Sequence, residues 1–273
     1  MIIGNFLRNR KSVREFKVDK VSYDLLDDIR QSLKFMVNEE GSGNINFKLY
    51  ENGKNIHTNL EGKGGYAGVM IDSPHYIALE LKNNDSNTII YGAYYMEKLV
   101  TELNKKGLST CWVSIKNVGE DLKKRLFGES IYKIDYILAF GYEKRQNPFN
   151  TEPFSDRMKV EEIVFDEKIG RGLDISELES KGLADIFYYV RFAPSVRNLQ
   201  PWRLLLKDNN VELLLAYKEW DDSLLMDAGI IMYYFEILAN SQGIKSSWEL
   251  VESMNDDYKV EDINYKLIAK YKL

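Results

Sequence analysis

The feature that most limits the fold of this chain is a short pattern that occurs twice. The segments Gly107–Trp112 (GLSTCW) and Gly243–Trp248 (GIKSSW) each begin with a glycine and end with a tryptophan. Each follows a segment with helical periodicity and begins a segment typical of a strand. The two glycines lie 136 residues apart, which is half of the 273-residue chain to within one residue. The spacing favours an internal duplication over the alternative, chance similarity between two common helix–glycine–strand junctions.

The order of predicted elements agrees with a duplication. The first half reads as helix, strand, strand, long helix, strand, short helix and strand, at 22–36, 45–49, 76–81, 88–106, 109–115, 120–127 and 132–142. The second half reads as helix, two strands, long helix and two strands, at 176–192, 202–207, 211–217, 222–242, 245–251 and 263–271. We therefore predict an α+β fold of two tandem related halves, residues 1–150 and 151–273, each a mainly antiparallel sheet with packed helices.

Two segments fall outside this regular order. The glycine-rich stretch 51–73 is interpreted as a long loop or small insertion, because its residues are polar and follow no period. Residues 143–165, with prolines at 148 and 153, are interpreted as the connection between the halves.

The composition argues against several classes of protein. There are 37 basic and 42 acidic residues, a net charge of −5, which gives no surplus of cations for a nucleic-acid backbone. One cysteine and two histidines make a metal site improbable on composition, and none is predicted. The sequence shows neither a secretory signal nor an apolar run long enough to cross a bilayer. We therefore expect a cytoplasmic protein that binds neither nucleic acid nor a membrane.

A basic segment near the N-terminus is the first candidate site. Arg10, Ser12 and Arg14 occupy alternate positions, with Lys11 and Val13 between them. In an extended backbone the three alternate side chains point the same way. Two guanidinium groups and a hydroxyl suit a phosphate group, which accepts paired charge-assisted hydrogen bonds. The alternative for this segment alone is a solvated basic stretch without a ligand.

The second candidate is the segment that we call the Pro-Ser loop, residues 193–202 (APSVRNLQPW). It joins a predicted helix to a predicted strand, and Pro194 and Pro201 stiffen its two ends. Ser195, Asn198 and Gln200 offer both donors and acceptors, which suits the edge of a heterocycle that alternates carbonyl and N–H groups. The alternative is a polar turn beside a buried tryptophan.

Together the two motifs resemble the FMN-dependent nitroreductase family. The resemblance rests on Arg-x-Ser-x-Arg, on Pro-Ser-x-x-Asn-x-Gln-Pro-Trp, on the strand GLSTCWVS, and on the strand end LAFGY that Lys144 and Arg145 follow. It extends over nearly the whole chain and implies a nitroreductase-like fold. In the family one copy usually carries both motifs and two copies form a homodimer, whereas here each half carries only one motif.

This division resembles the fused subgroup of the family, in which one chain is an intramolecular pseudo-dimer. It implies one FMN per chain and a monomer. The phosphate would be held by Arg10, Lys11, Ser12 and Arg14 with Lys144 or Arg145, and the ring by Pro194, Ser195, Asn198 and Gln200. Backbone groups of Trp112, Val113 and Ser114 would run past the central nitrogen of the ring.

The resemblance implies an NAD(P)H:acceptor oxidoreductase. A nicotinamide dinucleotide would reduce the flavin and leave, and a small nitroaromatic or quinone-like acceptor would be reduced in a second, ping-pong step. No catalytic acid–base residue is predicted; the protein would supply stacking, a donor near the central nitrogen, and positive charge from Arg197 or Arg10. The alternatives are a non-catalytic FMN-storage or sensing protein, and a structural protein without flavin.

Overall fold

The computed structural model describes residues 3–39, 41–128, 132–144, 156–252 and 257–273. These residues form two compact units. The first unit contains residues 11–144, and the second contains residues 156–273 together with the N-terminal residues 3–10, which include helix α1 (Ile3–Asn9). Arg10 therefore belongs to the second unit, and the rest of the basic motif belongs to the first.

The first unit contains a four-stranded antiparallel sheet with four helices. The strands are β1 (Ile45–Tyr50), β2 (His75–Leu81), β3 (Ser109–Ser114) and β4 (Lys133–Gly141), in the spatial order β1-β2-β4-β3. The helices are α2 (Tyr23–Met36), α3 (Gly53–Leu60), α4 (Ser86–Lys105) and α5 (Glu120–Phe127). All seven residues of β2 are buried, because β2 lies between two strands at the centre of the sheet.

Local sequence signals set the bounds of these helices. Ser22 caps α2, since its hydroxyl accepts a hydrogen bond from the N–H of Leu25 at 3.4 Å. Asp85 caps α4 in the same way, through the N–H of Thr88 at 2.7 Å. Helix α4 ends before Gly107, whose φ of 78° lies in the left-handed region that glycine adopts without strain.

The second unit contains a larger sheet. Its strands are β5 (Val164–Asp166), β6 (Trp202–Lys207), β7 (Asn210–Tyr217), β8 (Trp248–Leu250), β9 (Asp257–Val260) and β10 (Ile263–Lys272). The order is β5-β6-β7-β10-β8, with β9 also paired to β10, and only the β5–β6 pair is parallel. The helices are α6 (Val160–Ile163), α7 (Ile175–Ser180), α8 (Ala184–Val190) and α9 (Ser223–Ser241).

The two units repeat one topology. The order β1-β2-β4-β3 of the first unit corresponds to β6-β7-β10-β8 of the second, and in each a long helix, α4 or α9, connects the second strand of the set to the third. Both long helices end before a glycine with positive φ, at Gly107 and Gly243. The predicted α+β class with two related halves is confirmed. The predicted division of the chain after residue 150 stays a prediction.

Three predicted elements were wrong in detail. The stretch 51–73 is not only loop, because it contains α3. The predicted helix 176–192 is two helices, α7 and α8, separated where Gly182 adopts a φ of 71°. The predicted strand 245–251 shortens to the three residues of β8.

Helix α1 contributes to the core of the second unit. Gly4 lies against the ring of Tyr189 in α8, so close that a Cβ at this glycine would be 2.9 Å from the ring carbons. On the neighbouring face Phe6 packs against Tyr234 of α9 with ring centroids 6.4 Å apart. Across the described parts of both units, no helix is long and apolar enough to cross a membrane.

Candidate functional site

The basic segment of the first unit lies beside the end of its sheet. The N–H of Val13 donates to the carbonyl of Thr110 in β3 at 3.0 Å, and the N–H of Lys17 donates to the carbonyl of Tyr142 at 2.8 Å. Val13 is buried in the hydrophobic core of the unit, whereas Ser12 is half-buried and Arg14 is exposed. The segment therefore places Val13 inward and leaves Ser12 and Arg14 accessible to a ligand, as an extended backbone requires.

The cations of this segment differ in their partners. Lys11 forms an ion pair with Glu143 at 2.6 Å, and Lys144 lies 3.9 Å from a carboxylate oxygen of Glu15. Arg14 donates to the backbone carbonyl of Ser12, and no carboxylate within the described ranges pairs with it. The protein therefore neutralises the charge of Arg14 less than the charges of Lys11 and Lys144. Arg145, also predicted for this set, lies outside the described residues.

Strand β3 exposes one backbone edge to other segments. Only β4 pairs with it as a strand, through the pairs Cys111↔Ala139 and Val113↔Ile137. On the other edge the carbonyl of Thr110 accepts from Val13 and the carbonyl of Ser114 accepts from Gly65. Successive residues of an antiparallel strand point their backbone groups to alternate edges. The N–H groups of Trp112 and Ser114 therefore point to this outer edge.

The side chain of Trp112 contacts residues of α4 and β4 within the first unit. Its indole Nε1 donates to Oε1 of Glu97 in α4 at 2.7 Å, and Glu97 is fully buried. Its ring also meets Tyr136 of β4 edge-on, with centroids 5.9 Å apart. The predicted contact of the Trp112 backbone with the flavin stays a prediction.

A tight loop, residues 61–70, covers the outer edge of β3 at Ser114. The N–H of Gly65 donates to the carbonyl of Ser114 at 2.8 Å. Gly65 has a φ of 75°, and a Cβ there would be 2.0 Å from the carbonyl oxygen of Val69. Only glycine fits this position without moving the loop. The loop occupies the edge beside one of the backbone donors predicted to meet the flavin.

The Pro-Ser loop of the second unit holds three non-glycine residues in left-handed conformations. Arg197, Asn198 and Gln200 have φ values of 51°, 57° and 48°. Such conformations are uncommon for residues with a side chain and persist only where surrounding contacts hold them. The N–H of Gln200 donates to the hydroxyl of Ser195 at 2.9 Å, which closes the loop on itself.

The two side-chain amides of the Pro-Ser loop bind the segment 156–158 of the same unit. The amide nitrogen of Asn198 donates to the carbonyl of Asp156 at 2.8 Å, and its oxygen accepts from the guanidinium of Arg157. Gln200 is buried, and its side-chain oxygen accepts from the N–H of Met158 at 2.9 Å. These amides, predicted to meet the flavin ring, hold the loop in place in this structure. Pro194 and Ser195 are half-buried at the start of the loop.

A buried carboxyl group holds the same loop from helix α9. Oδ1 of Asp227 accepts from the N–H of Val196 at 2.9 Å, and Oδ2 is buried without a hydrogen-bond partner in the described structure. Burial raises the pKa of Asp227 to about 8, and the hydrogen bond from Val196 offsets part of this shift. The sequence analysis missed Asp227, although it is the sole charged residue in the apolar run 224–235.

Two arginines of the second unit, Arg157 and Arg191, were also not predicted from the sequence. Arg157 binds the loop through Asn198 and donates to the carbonyl of Phe192 at 3.2 Å. Burial lowers the pKa of Arg157, and the positive charges of Arg10 and Arg191 lower it further. Arg191 lies two residues before the Pro-Ser loop, and its guanidinium donates to the carbonyl of Met158 at 3.3 Å.

A cavity of about 550 Å³ opens on the other side of the Pro-Ser loop, within the second unit. Its lining combines Arg197, Leu199 and Pro201 with the ends of β7 and β10, where two tyrosines lie, Tyr217 and Tyr265. Arg203 also lines it and is fixed by hydrogen bonds to the carbonyls of Gln200 and Trp202 at 2.9 and 2.7 Å. In the portion of the chain that the structure describes, no group of histidine, cysteine and acidic side chains could hold a metal ion.

The fold, two α+β units that repeat one antiparallel topology, and the two motif-bearing segments define the class of protein. The sequence profile of the family described as "Putative TM nitroreductase" matches residues 3–239. The chain belongs to this nitroreductase family, and its general class is therefore that of an oxidoreductase. Among curated proteins, none matched the chain.

Among solved structures, one resembles this chain over nearly its whole length. A "putative nitroreductase" from Thermotoga maritima has a TM-score of 0.60 at 19% identity, over 98% of this chain and 94% of that chain. An FMN-dependent nitroreductase from Clostridium difficile has a TM-score of 0.45 at 22% identity, over 54% and 90%. A nitroreductase with bound FMN from Bacteroides fragilis has a TM-score of 0.46 at 12% identity, over 57% and 95%. The first match extends over both units, and each of the other two extends over little more than half of this chain.

Proposed function

We propose that the chain binds one molecule of FMN and acts as an NAD(P)H-dependent oxidoreductase on a small nitroaromatic or quinone-like acceptor. The observation that carries this proposal is the family match over residues 3–239, which includes both motif segments. The bound FMN would supply the electron-carrying group of both half-reactions, and the protein would supply binding, orientation and electrostatics.

The phosphate end of FMN fits the basic segment. Arg14 is exposed, its guanidinium has no carboxylate partner in the described residues, and the accessible hydroxyl of Ser12 lies two positions before it. Lys11 and Lys144 contribute less, because Glu143 and Glu15 already neutralise part of their charge. Arg10 and Arg145 complete the proposed set. A charge-assisted hydrogen bond from Arg14 is expected to contribute about 1.5–3 kcal/mol.

The ring end fits backbone donors better than side chains. The N–H groups of Trp112 and Ser114 on the outer edge of β3 are the proposed donors to the central nitrogen of the ring. Val113 supplies rigidity, since its buried side chain anchors the strand. Because the amides of Asn198 and Gln200 hold residues 156–158, we propose that Pro194, Ser195 and the backbone of the Pro-Ser loop meet the pyrimidine edge first.

The proposal is tested by the absorbance spectrum of the purified chain and by the ratio of released FMN to chain. A yellow protein with about one FMN per chain supports the proposed single site. Anaerobic bleaching by NADH or NADPH, followed by recovery with an acceptor, supports turnover. A colourless chain that does not bind added FMN contradicts the proposal.

A pair of matched variants locates the phosphate. Arg14→Gln is expected to weaken FMN binding at least about tenfold and to leave riboflavin binding unchanged, because riboflavin has no phosphate. Arg125→Gln is the control, since Arg125 is an exposed arginine of the same unit in α5. Equal FMN affinities in both variants would exclude Arg14 from the site.

The second candidate function is FMN storage or sensing without turnover. The loop 61–70 favours it, because this loop already occupies the edge of β3 at Ser114. Bleaching by either dinucleotide without transfer to any acceptor would support this candidate. We also propose that the chain is a monomer and that it is cytoplasmic. Size-exclusion chromatography with light scattering tests the oligomeric state.

A further inference from the structure

Two arginines of the second unit, Arg10 and Arg191, lie within electrostatic reach of a third, Arg157. The charges of Arg10 and Arg191 both act on the half-buried guanidinium of Arg157. The like charges come from three separate segments: the residue after α1, the stretch before α6, and the end of α8. Like charges brought together in a partly buried place repel one another more strongly than in water.

The partners of Arg157 and Arg191 are uncharged. Arg157 donates to the amide oxygen of Asn198 and the carbonyl of Phe192, and Arg191 donates to the carbonyl of Met158 at 3.3 Å. Within the described ranges, no carboxylate forms an ion pair with either arginine. Neutral oxygen atoms fix the direction of a guanidinium group but do not compensate its charge.

Arg191 shows the same incomplete compensation. Its guanidinium lies 4.8 Å from the ring centre of Tyr188 and 4.6 Å from that of Phe192. These contacts hold the charged group between aromatic faces. Its Nε is buried and has no hydrogen-bond partner in the described structure. By contrast, Arg171 on the surface of the same unit forms an ion pair with Asp166 at 3.1 Å.

We propose that Arg157 and Arg191, next to Arg10, form a binding site for a phosphate group carried by a nucleotide. A phosphate has the charge that the cluster lacks, and its oxygens accept paired hydrogen bonds from guanidinium groups. Arg157 has a hydrogen bond from each Nη to the protein, which leaves its other N–H groups for the anion.

The site acts on the Pro-Ser loop through Arg157. The same guanidinium that binds the phosphate holds the side chain of Asn198, a residue in a left-handed conformation. Binding of the anion offsets part of the positive charge of the cluster and fixes Arg157, so the loop becomes more rigid when the nucleotide is present. The phosphate source is the FMN or a dinucleotide donor; the FMN branch rests on the proposed function, and binding of inorganic phosphate does not.

The first experiment measures inorganic phosphate binding to the full-length chain by calorimetry and thermal melting, with sodium chloride at matched ionic strength as the control for screening. We expect phosphate to raise the melting temperature of the wild type beyond the chloride control. Arg157→Gln and Arg191→Gln are each expected to weaken phosphate binding about tenfold or more. Arg171→Gln is expected to bind phosphate as the wild type does.

Two ligand pairs identify the source of the phosphate. A loss confined to FMN, with riboflavin unchanged, assigns the site to the flavin phosphate. A loss of NADPH binding, with NADH less affected, assigns it to the extra phosphate of NADPH, and an equal loss of both assigns it to the diphosphate. A chain that binds inorganic phosphate through these arginines but never binds FMN contradicts the proposed function and supports this inference.

Folding is monitored by circular dichroism in phosphate-free buffer. If a glutamine variant does not fold, Arg157→Lys and Arg191→Lys replace it; these keep the charge but lose the planar fork, and weaker phosphate binding is again expected. Unchanged affinities for phosphate, FMN and both dinucleotides in the folded variants would overturn the inference.

Discussion

The N–H of Val196 donates to Oδ1 of Asp227 at 2.9 Å, so a carboxyl group inside helix α9 holds the first turn of the Pro-Ser loop. Val196 and Asp227 are 31 residues apart in the chain. The other carboxyl oxygen of Asp227 is buried without a hydrogen-bond partner in the described structure. This arrangement favours the neutral, protonated carboxyl group, because an isolated buried charge is strongly disfavoured.

The first prediction concerns stability and pH. The pKa of Asp227 is about 8 in the folded protein, and an unperturbed aspartate has a pKa near 3.9. Between these values the folded state binds more protons than the unfolded state, so stability falls as pH rises and levels off above pH 8. The expected loss from pH 5 to pH 8 is about 4 kcal/mol from this group alone.

Urea unfolding of the wild type and of Asp227→Asn between pH 5 and pH 9 tests this prediction. The asparagine cannot ionise and can still accept from Val196, so the variant should lose this part of the pH dependence. It should be less sensitive to pH than the wild type and more stable at pH 9. Two parallel stability curves would contradict the assignment.

The second prediction concerns a buried ion pair of the first unit. Nζ of Lys123 lies 3.0 Å from Oδ1 of Asp135, and Lys133 reaches Oδ2 at 2.9 Å. The side chain of Lys123 is only 4% exposed, whereas that of Lys133 is 42% exposed. Lys123→Met should lower the free energy of unfolding by about 3 kcal/mol, because it leaves a buried carboxylate short of a partner. Lys133→Met should cost less than about 1 kcal/mol, because solvent screens the exposed pair.

Chemical denaturation of the two methionine variants compares these costs directly. Both substitutions remove one positive charge next to the same carboxylate. Lys123→Met also removes the pair with Glu120 at 3.0 Å, but Glu120 is exposed and this pair contributes little, so the difference reports mainly burial. Equal losses would show that burial does not control the strength of this ion pair.

The third prediction concerns the loop 61–70. Gly65→Ala should destabilise the protein by at least about 2 kcal/mol. The alanine would have to adopt the positive φ of this position, and its Cβ would collide with the carbonyl of Val69. Gly43→Ala is the matched control, since nothing lies within 4 Å of a Cβ at Gly43. If the loop limits access to β3, Gly65→Ala should also speed the exchange of bound FMN. Fluorescence of released flavin measures this rate. An unchanged rate would show that the loop does not control access to β3.

The fourth prediction separates the side chain of Trp112 from its backbone. Trp112→Phe removes the donor to the buried Glu97 and should cost about 1–3 kcal/mol in unfolding free energy. The backbone N–H of residue 112 remains, so FMN affinity should stay within about twofold of the wild type. Trp248→Phe, which loses a hydrogen bond to the carbonyl of Met232, is the control in the second unit. A large loss of FMN affinity in Trp112→Phe alone would assign the indole ring to the site.

Local signals explain which elements could be predicted from the sequence. Helix α2 was predicted to begin at Ser22 because its cap joins residues three positions apart. Helix α3 was missed although it has a local cap, since the side chain of Asn52 accepts from the N–H of Asn55 at 3.3 Å. A distant contact also holds its start: the N–H of Gly53 donates to the carbonyl of Pro74 at 2.9 Å. A side chain at Gly53 would collide with the carbonyl of Ser73, a constraint that the sequence does not display.

The residues of the candidate site likewise include some that local sequence signals could predict and some that they could not. The two motifs were found because each is a continuous run of residues with its own chemistry. Arg157 reaches Asn198 across 41 positions, and a contact of that separation leaves no periodic trace in one sequence. A lone aspartate in an apolar helix is a readable signal, and it would have identified Asp227 as a residue with a specific buried role.

The position of helix α1 in the chain affects how the protein folds during its synthesis. Its partners, α8 and α9, are translated only after the whole first unit has been made. At typical rates of synthesis, roughly 10–40 s pass between the synthesis of α1 and the synthesis of the helices that bury Phe6 and Leu7. During that interval its apolar face is open to chaperones, so segments made after the first unit complete the burial of a helix made before it.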